Sequence, residues 1–98
     1  ALAFELAERG FQSDGKGNWV HGTAVVEAGA VLHGNTLIGE GAVVRKGAEL
    51  GPFCVLGPRT DVSPNALFQR VVVWGNESVG GVTSDAVLWN GERLSAAS

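Results

Sequence analysis

From Val20 to Ala66 the chain reads VHGTAVVEAGAVLHGNTLIGEGAVVRKGAELGPFCVLGPRTDVSPNA, and its residues recur in kind at every sixth place. Counted from Val20, the step gives Val20, Val26, Leu32, Ile38, Val44, Leu50, Leu56 and Val62, all aliphatic. Counted from Ala24, it gives Ala24, Ala30, Thr36, Ala42, Ala48, Cys54, Thr60 and Ala66, all small. The places just before these are Thr23, Gly29, Asn35, Gly41, Gly47, Phe53, Arg59 and Asn65, which are Gly or Asn in five of eight cases. Those two residue types take positive φ at least cost.

A small residue and the aliphatic two places later point to one side of an extended strand. Both therefore line a common interior, and the Gly or Asn before them supports a sharp bend. Strand and bend repeating every six residues form one side of a polygon, and small residues in the corners suit a triangular coil of 18 residues. A helix would place apolar residues at i, i+3, i+4 and i+7, which this register does not do. Stacked coils set Val20 under Ile38 and Leu56, Val26 under Val44 and Val62, and Leu32 under Leu50 and Phe68. Each coil then bonds to the next as a parallel ladder. So short a stack implies that end caps and partner chains share in holding it together.

Outside this stretch the pattern changes. Ala1 to Arg9 (ALAFELAER) consists of good helix formers ahead of Gly10, which predicts a short N-terminal helix. Gln12 to Asn18 (QSDGKGN) reads as a polar linker. After Ala66 the step of six breaks down, and VVWGNESV from Val72 is echoed by VLWNGERL from Val87, fifteen places on. These read as the last, irregular coils, with Trp74 and Trp89 in corresponding places, closing the end of the stack. The expected division is 1–18 for helix and linker, 19–94 for the coils and 95–98 for a tail.

The composition of the 98 residues fits one small domain, with 15 glycines, about twice the usual share. Seven Lys and Arg against ten Asp and Glu leave a net charge of −3, which argues against a phosphate-backbone binder. No apolar run approaches the ~20 residues of a membrane span. The single cysteine, Cys54, excludes an internal disulfide and any paired CxxC site. A basic segment followed by an apolar one is missing at the start, so a cytoplasmic protein is expected.

The hexads resemble the hexapeptide repeat of left-handed parallel β-helices, and that resemblance, not the spacing, implies the handedness. The expected fold is thus an all-β, left-handed parallel β-helix of about four coils with a short N-terminal helix. The terminal phrases resemble the last coils of sugar-1-phosphate nucleotidyltransferases, particularly the mannose-1-phosphate guanylyltransferase-like group, in which Val-x-Trp-Asp/Asn-Gly-x-x-Val recurs. Val87-Leu88-Trp89-Asn90-Gly91-Glu92-Arg93-Leu94 follows that order, whereas Gly75-Asn76 reverses it. The glycine-rich Gly-x-Gly-Thr-Arg-Leu loop of those enzymes has no counterpart here. The resemblance therefore implies a non-catalytic module that packs on a nucleotidyltransferase domain of the same parent chain or forms a homo-oligomer.

The rival expectation is a hexapeptide-repeat acyltransferase active as a trimer, a class resembling this chain in its repeat and using a His base. His21 and His33 are the candidates; each follows a core aliphatic and so faces outward. The hexads run without an insertion that could shape an acceptor pocket. Zinc chemistry of the carbonic-anhydrase kind requires three histidines, and the two here fall on different sides of a coil. Cys54 reads as a buried core thiol, and Arg45, Lys46 and Arg59 as solvated surface. No catalytic, cofactor or metal residues are assigned; the marked residues are the eight core aliphatics and the Trp74–Trp89 pair as an end cap.

Overall fold

The computed structural model describes residues 8–74, 76–89 and 92–95, and these form an all-β solenoid of about four coils with parallel sheets. Each coil has three sides. The first side carries β2 (Trp19–His21), β5 (Thr36–Ile38), β8 (Cys54–Leu56) and the later halves of β10 (Leu67–Val73) and β12 (Val82–Trp89). The second carries β3 (Val25–Val26), β6 (Val43–Val44), β9 (Asp61–Val62) and β11 (Ser78–Val79). On the third lie β4 (Val31–Leu32), β7 (Glu49–Leu50) and the early halves of β10 and β12. Two antiparallel strands close the first side at its ends: β1 (Phe11–Ser13) pairs with β2, and β13 (Glu92–Ser95) pairs with β12.

Register follows the hexads. Val20, Ile38 and Leu56 are rung partners, as are Val26, Val44 and Val62, and Leu32, Leu50 and Phe68. Ile38, Val44, Leu50, Leu56 and Val62 are at most 1% exposed. Val20, Val26 and Leu32 are half-buried because they form the first rung, with no further coil beneath. The small series behaves alike: Ala42, Ala48, Cys54 and Ala66 are fully buried, and Ala24 and Ala30 half-buried. Thr36 and Thr60 are buried in the corners, where their hydroxyls donate to Gly34 O at 3.1 Å and Gly57 O at 2.9 Å. A buried hydroxyl is tolerated there because a carbonyl of the bend accepts from it.

The later coils are shorter. Leu56 pairs with Val73 and Val62 with Val79, a step of 17, while Phe68 pairs with Thr83 and Val73 with Leu88, a step of 15. One residue is lost because β10 turns the corner from Phe68 to Val71 in three steps, where Leu50 to Cys54 takes four. Two more go at the bend between β11 and β12. As β10 and β12 round a corner without leaving the strand, hydrogen bonding joins the first and third sides into one nine-stranded sheet.

The start of the chain departs from the sequence reading. Residues 1–7 of the expected helix lie outside the described residues; Arg9 and Gly10 form the turn into β1. Gln12 to Asn18 is not simply a linker, since β1 takes its first residues and Asn18 is fully buried. Asn18 Oδ1 accepts from Gly34 N at 3.0 Å, and its Nδ2 donates to Asp14 Oδ2 at 2.7 Å and Leu32 O at 3.3 Å. The polar side chain is satisfied, so it can hold the first corner. Ser95, expected in the tail, belongs to β13.

Candidate functional site

Inward residues alternate with outward ones, so each side of the prism is an array of outward columns. On the first side, one place before each core aliphatic, the rung partners are Trp19, Leu37, Val55, Val72 and Val87. Every one is apolar. Val55 is 36% exposed, and the other four are half-buried against their neighbours in the column.

Two residues further along the chain lies a second column, whose members Gly39, Gly57 and Trp74 stand just past the ends of their strands. Its rungs are His21, Gly39, Gly57, Trp74 and Trp89. Backbone bonds tie these rungs together: Gly39 N donates to Leu56 O, Gly57 N to Val73 O and Trp74 N to Leu88 O. A β-carbon on Gly39 would stand 2.7 Å from Leu56 O and 2.9 Å from Gly57 C, so the coils meet here too closely for a side chain. The glycines leave a shelf, and a recess of about 330 Å³ opens over it, lined by Leu37, Val55 and Pro58, by His21 and Phe11 toward the near end, and by Arg9 and Glu40.

Trp74 and Trp89 stand on adjacent rungs at the far end of this column, 66% and 56% exposed, and line a recess of about 250 Å³ between them. At the near end the His21 ring meets Phe11 edge-on at 5.1 Å, and its Nδ1 lies 2.8 Å from Thr23 Oγ1. The column thus projects at one end and is recessed in its middle.

The other sides are more polar. The outward column of the second side runs Val25, Val43, Asp61 and Ser78. Arg45 donates to both carboxylate oxygens of Asp61 at 3.0 and 2.8 Å and lies 3.6 Å from Glu27. That bidentate contact holds the Asp61 carboxyl below its ordinary range. On the third side, His33 Nε2 lies 2.8 Å from Glu49 Oε1, over a recess of about 190 Å³ lined also by Gly51, Leu67, Phe68 and Gln69.

His21 and His33 are thus on different sides, and no group of three or more potential metal-binding side chains occurs among the described residues. Cys54 is fully buried; its thiol donates to Phe68 O at 3.4 Å, and burial pushes its pKa up, against nucleophilic use. Arg45 is engaged by Asp61, whereas Lys46 and Arg59 are exposed.

The sequence reading passed over the outward ladder of the first side. Its signal was present as an 18-residue step through Trp19, Leu37 and Val55. It was diluted because the six-residue outward series from Trp19 also crosses the two polar sides, at Glu49 and Asp61. Compared with models of protein families, with curated proteins and with solved structures, the chain matches none.

Proposed function

We propose that this chain is the non-catalytic, left-handed β-helix module of a sugar-1-phosphate nucleotidyltransferase-like protein of the cytoplasm. Its role is to pack against a catalytic domain of the same parent chain or to associate with itself. The observation that carries this reading is the first side. Five consecutive rungs present an apolar outward column with a glycine shelf and two exposed tryptophans beside it. A water-facing sheet side ordinarily alternates polar outward residues with apolar inward ones, and a contiguous apolar patch marks a contact surface. The two Val-x-Trp phrases fall on adjacent rungs of that side, which supports the family resemblance of the terminal coils.

The test has two parts. The parent gene should encode a nucleotide-binding domain, and that domain, expressed separately, should bind the chain or the chain should bind itself in sedimentation. A chain that stays monomeric and ignores that domain removes the reading.

The His33–Glu49 contact over its recess favours a second reading, a trimeric hexapeptide acyltransferase with His33 as base. Calorimetry with acetyl-CoA decides between them. Micromolar binding, with acyl transfer abolished by His33→Ala, would establish the second; no binding removes it.

A further inference from the structure

On the first side the strand path is β1-β2-β5-β8-β10-β12-β13. Strand β8 stands at its centre, with three strands on either hand and an antiparallel strand at each end. The strands at its two edges, β1 and β13, are only three and four residues long, so the larger surface open to a partner is the face.

We propose that the partner is a second copy of this chain, laid face to face about a two-fold axis that runs along β8 and passes over Val55. The proposal rests on the reading of the chain as a packing module and names the surface and the occupant. Such a rotation reverses the order of the rungs while keeping each outward column opposite itself. Val55 then meets its own counterpart, Leu37 meets Val72, and Trp19 meets Val87. In the second column Trp74 comes over Gly39, where the recess of about 330 Å³ receives its indole, and Trp89 comes over His21. Projection and recess match because one column carries both, in an order that reversal brings into register. An unrelated partner would have to supply that match independently.

Charge agrees. Of the two outward columns His21 and, on β13 opposite Trp89, Glu92 can ionise, and the rotation sets Glu92 over Phe11 of β1. Arg9 and Glu40 stand at the recess, and at the neighbouring corner Arg70 is already paired with Asp85 at 2.9 Å. The rotation sets Asn35 opposite Arg70 and Phe53 opposite itself, so no like charges are forced together. The second and third sides hold Glu27, Arg45 and Asp61, or Glu49 and His33, and would bring such groups into a dry contact. Size agrees too: a body of 35 × 28 × 22 Å has sides of at most roughly 1,000 Å², and a stable pair buries about 800 Å² per partner. The contact must then span the whole side, with the tryptophans as its anchors.

Sedimentation equilibrium of the full chain up to about 100 µM should show a monomer–dimer equilibrium. Val55→Glu sets two carboxylates against each other at the axis and should weaken dimerisation at least ~30-fold. Val25→Glu, on the second side and 50% exposed, should leave it unchanged. Facing sheets lie ~10 Å apart, so Val55→Cys should be joined into a covalent dimer by a short bismaleimide, while the wild type, with Cys54 buried, should not. A chain that is monomeric throughout, a trimer, or a dimer indifferent to Val55→Glu overturns the proposal. If Val25→Glu abolishes association instead, self-association stands and this face is excluded. Should Val55→Glu fail to fold, the cross-link decides, and its absence overturns the proposal.

Discussion

Phe53 and Arg59 hold φ of 62° and 58°, where a β-carbon crowds the neighbouring carbonyl. They do so because the corners stack: Asn35, Phe53, Arg70 and Asp85 at one corner, and Gly41, Arg59 and Asn76 at another, all have positive φ. The coil imposes the conformation on whichever residue falls there. Arg59→Asn should therefore stabilise the fold by about 0.5–1 kcal/mol, read as a higher denaturant midpoint. Gly39 is constrained by space, and the atoms that a β-carbon would strike are backbone atoms of the next coil. Gly39→Ala should cost about 2–3 kcal/mol in the same measurement. Ile38, fully buried in the middle of the first inward column, leaves nothing to neutralise a charge. Ile38→Asp should abolish cooperative unfolding; a near-normal melting temperature would contradict the register.

Single strands here are two to eight residues long and cannot stand alone; what fixes each is the rung above and below. Side-chain ladders on the outer surface add to this, with Arg45, just past β6, donating to Asp61 on β9 and Arg70 on β10 paired with Asp85 on β12. The guanidinium contacts hold the Asp61 and Asp85 carboxyls below their ordinary range, and the Asn18 side chain does the same for Asp14. A carboxyl whose folded pKa is depressed stabilises the fold above its unfolded value and loses that contribution as pH falls through the folded one. Melting temperature should be flat from about pH 7 to 5 and decline below about pH 4. Because these pairs are exposed, the decline should be modest and should shrink with added salt. Arg45→Gln should flatten it further.

As a whole the molecule is a quasi-one-dimensional stack, in which each coil contacts only its neighbours. A duplicate of residues 24–41, inserted after Gly41, adds one complete coil without disturbing the alternation of inward and outward residues. It should raise the melting temperature and increase the β-sheet signal in circular dichroism. The same insertion lacking Leu37, in the middle of a strand and not at a corner, breaks the alternation of inward and outward residues there and should lower both. The stack also decides what the surface can do. Three sides are built by one repeat, yet among the described residues only the first carries an unbroken apolar outward column, with an antiparallel strand standing at each end of its strand path.

The six-residue period by itself determined the solenoid, its parallel ladders and the inward columns, because a strand's alternation and a bend's need for small or left-handed residues are local demands that recur at each step. Asn18 and β1 escaped that reading, since a lone polar residue and a three-residue strand carry no period. The shortened coils escaped it as well: Phe68 and Val71 join through a corner that only the neighbouring rungs make extended. The face formed by Val55, the glycine shelf and the two tryptophans depended on tertiary structure. Its members lie 15 to 18 residues apart in the chain, and coil length decides which of them share a side.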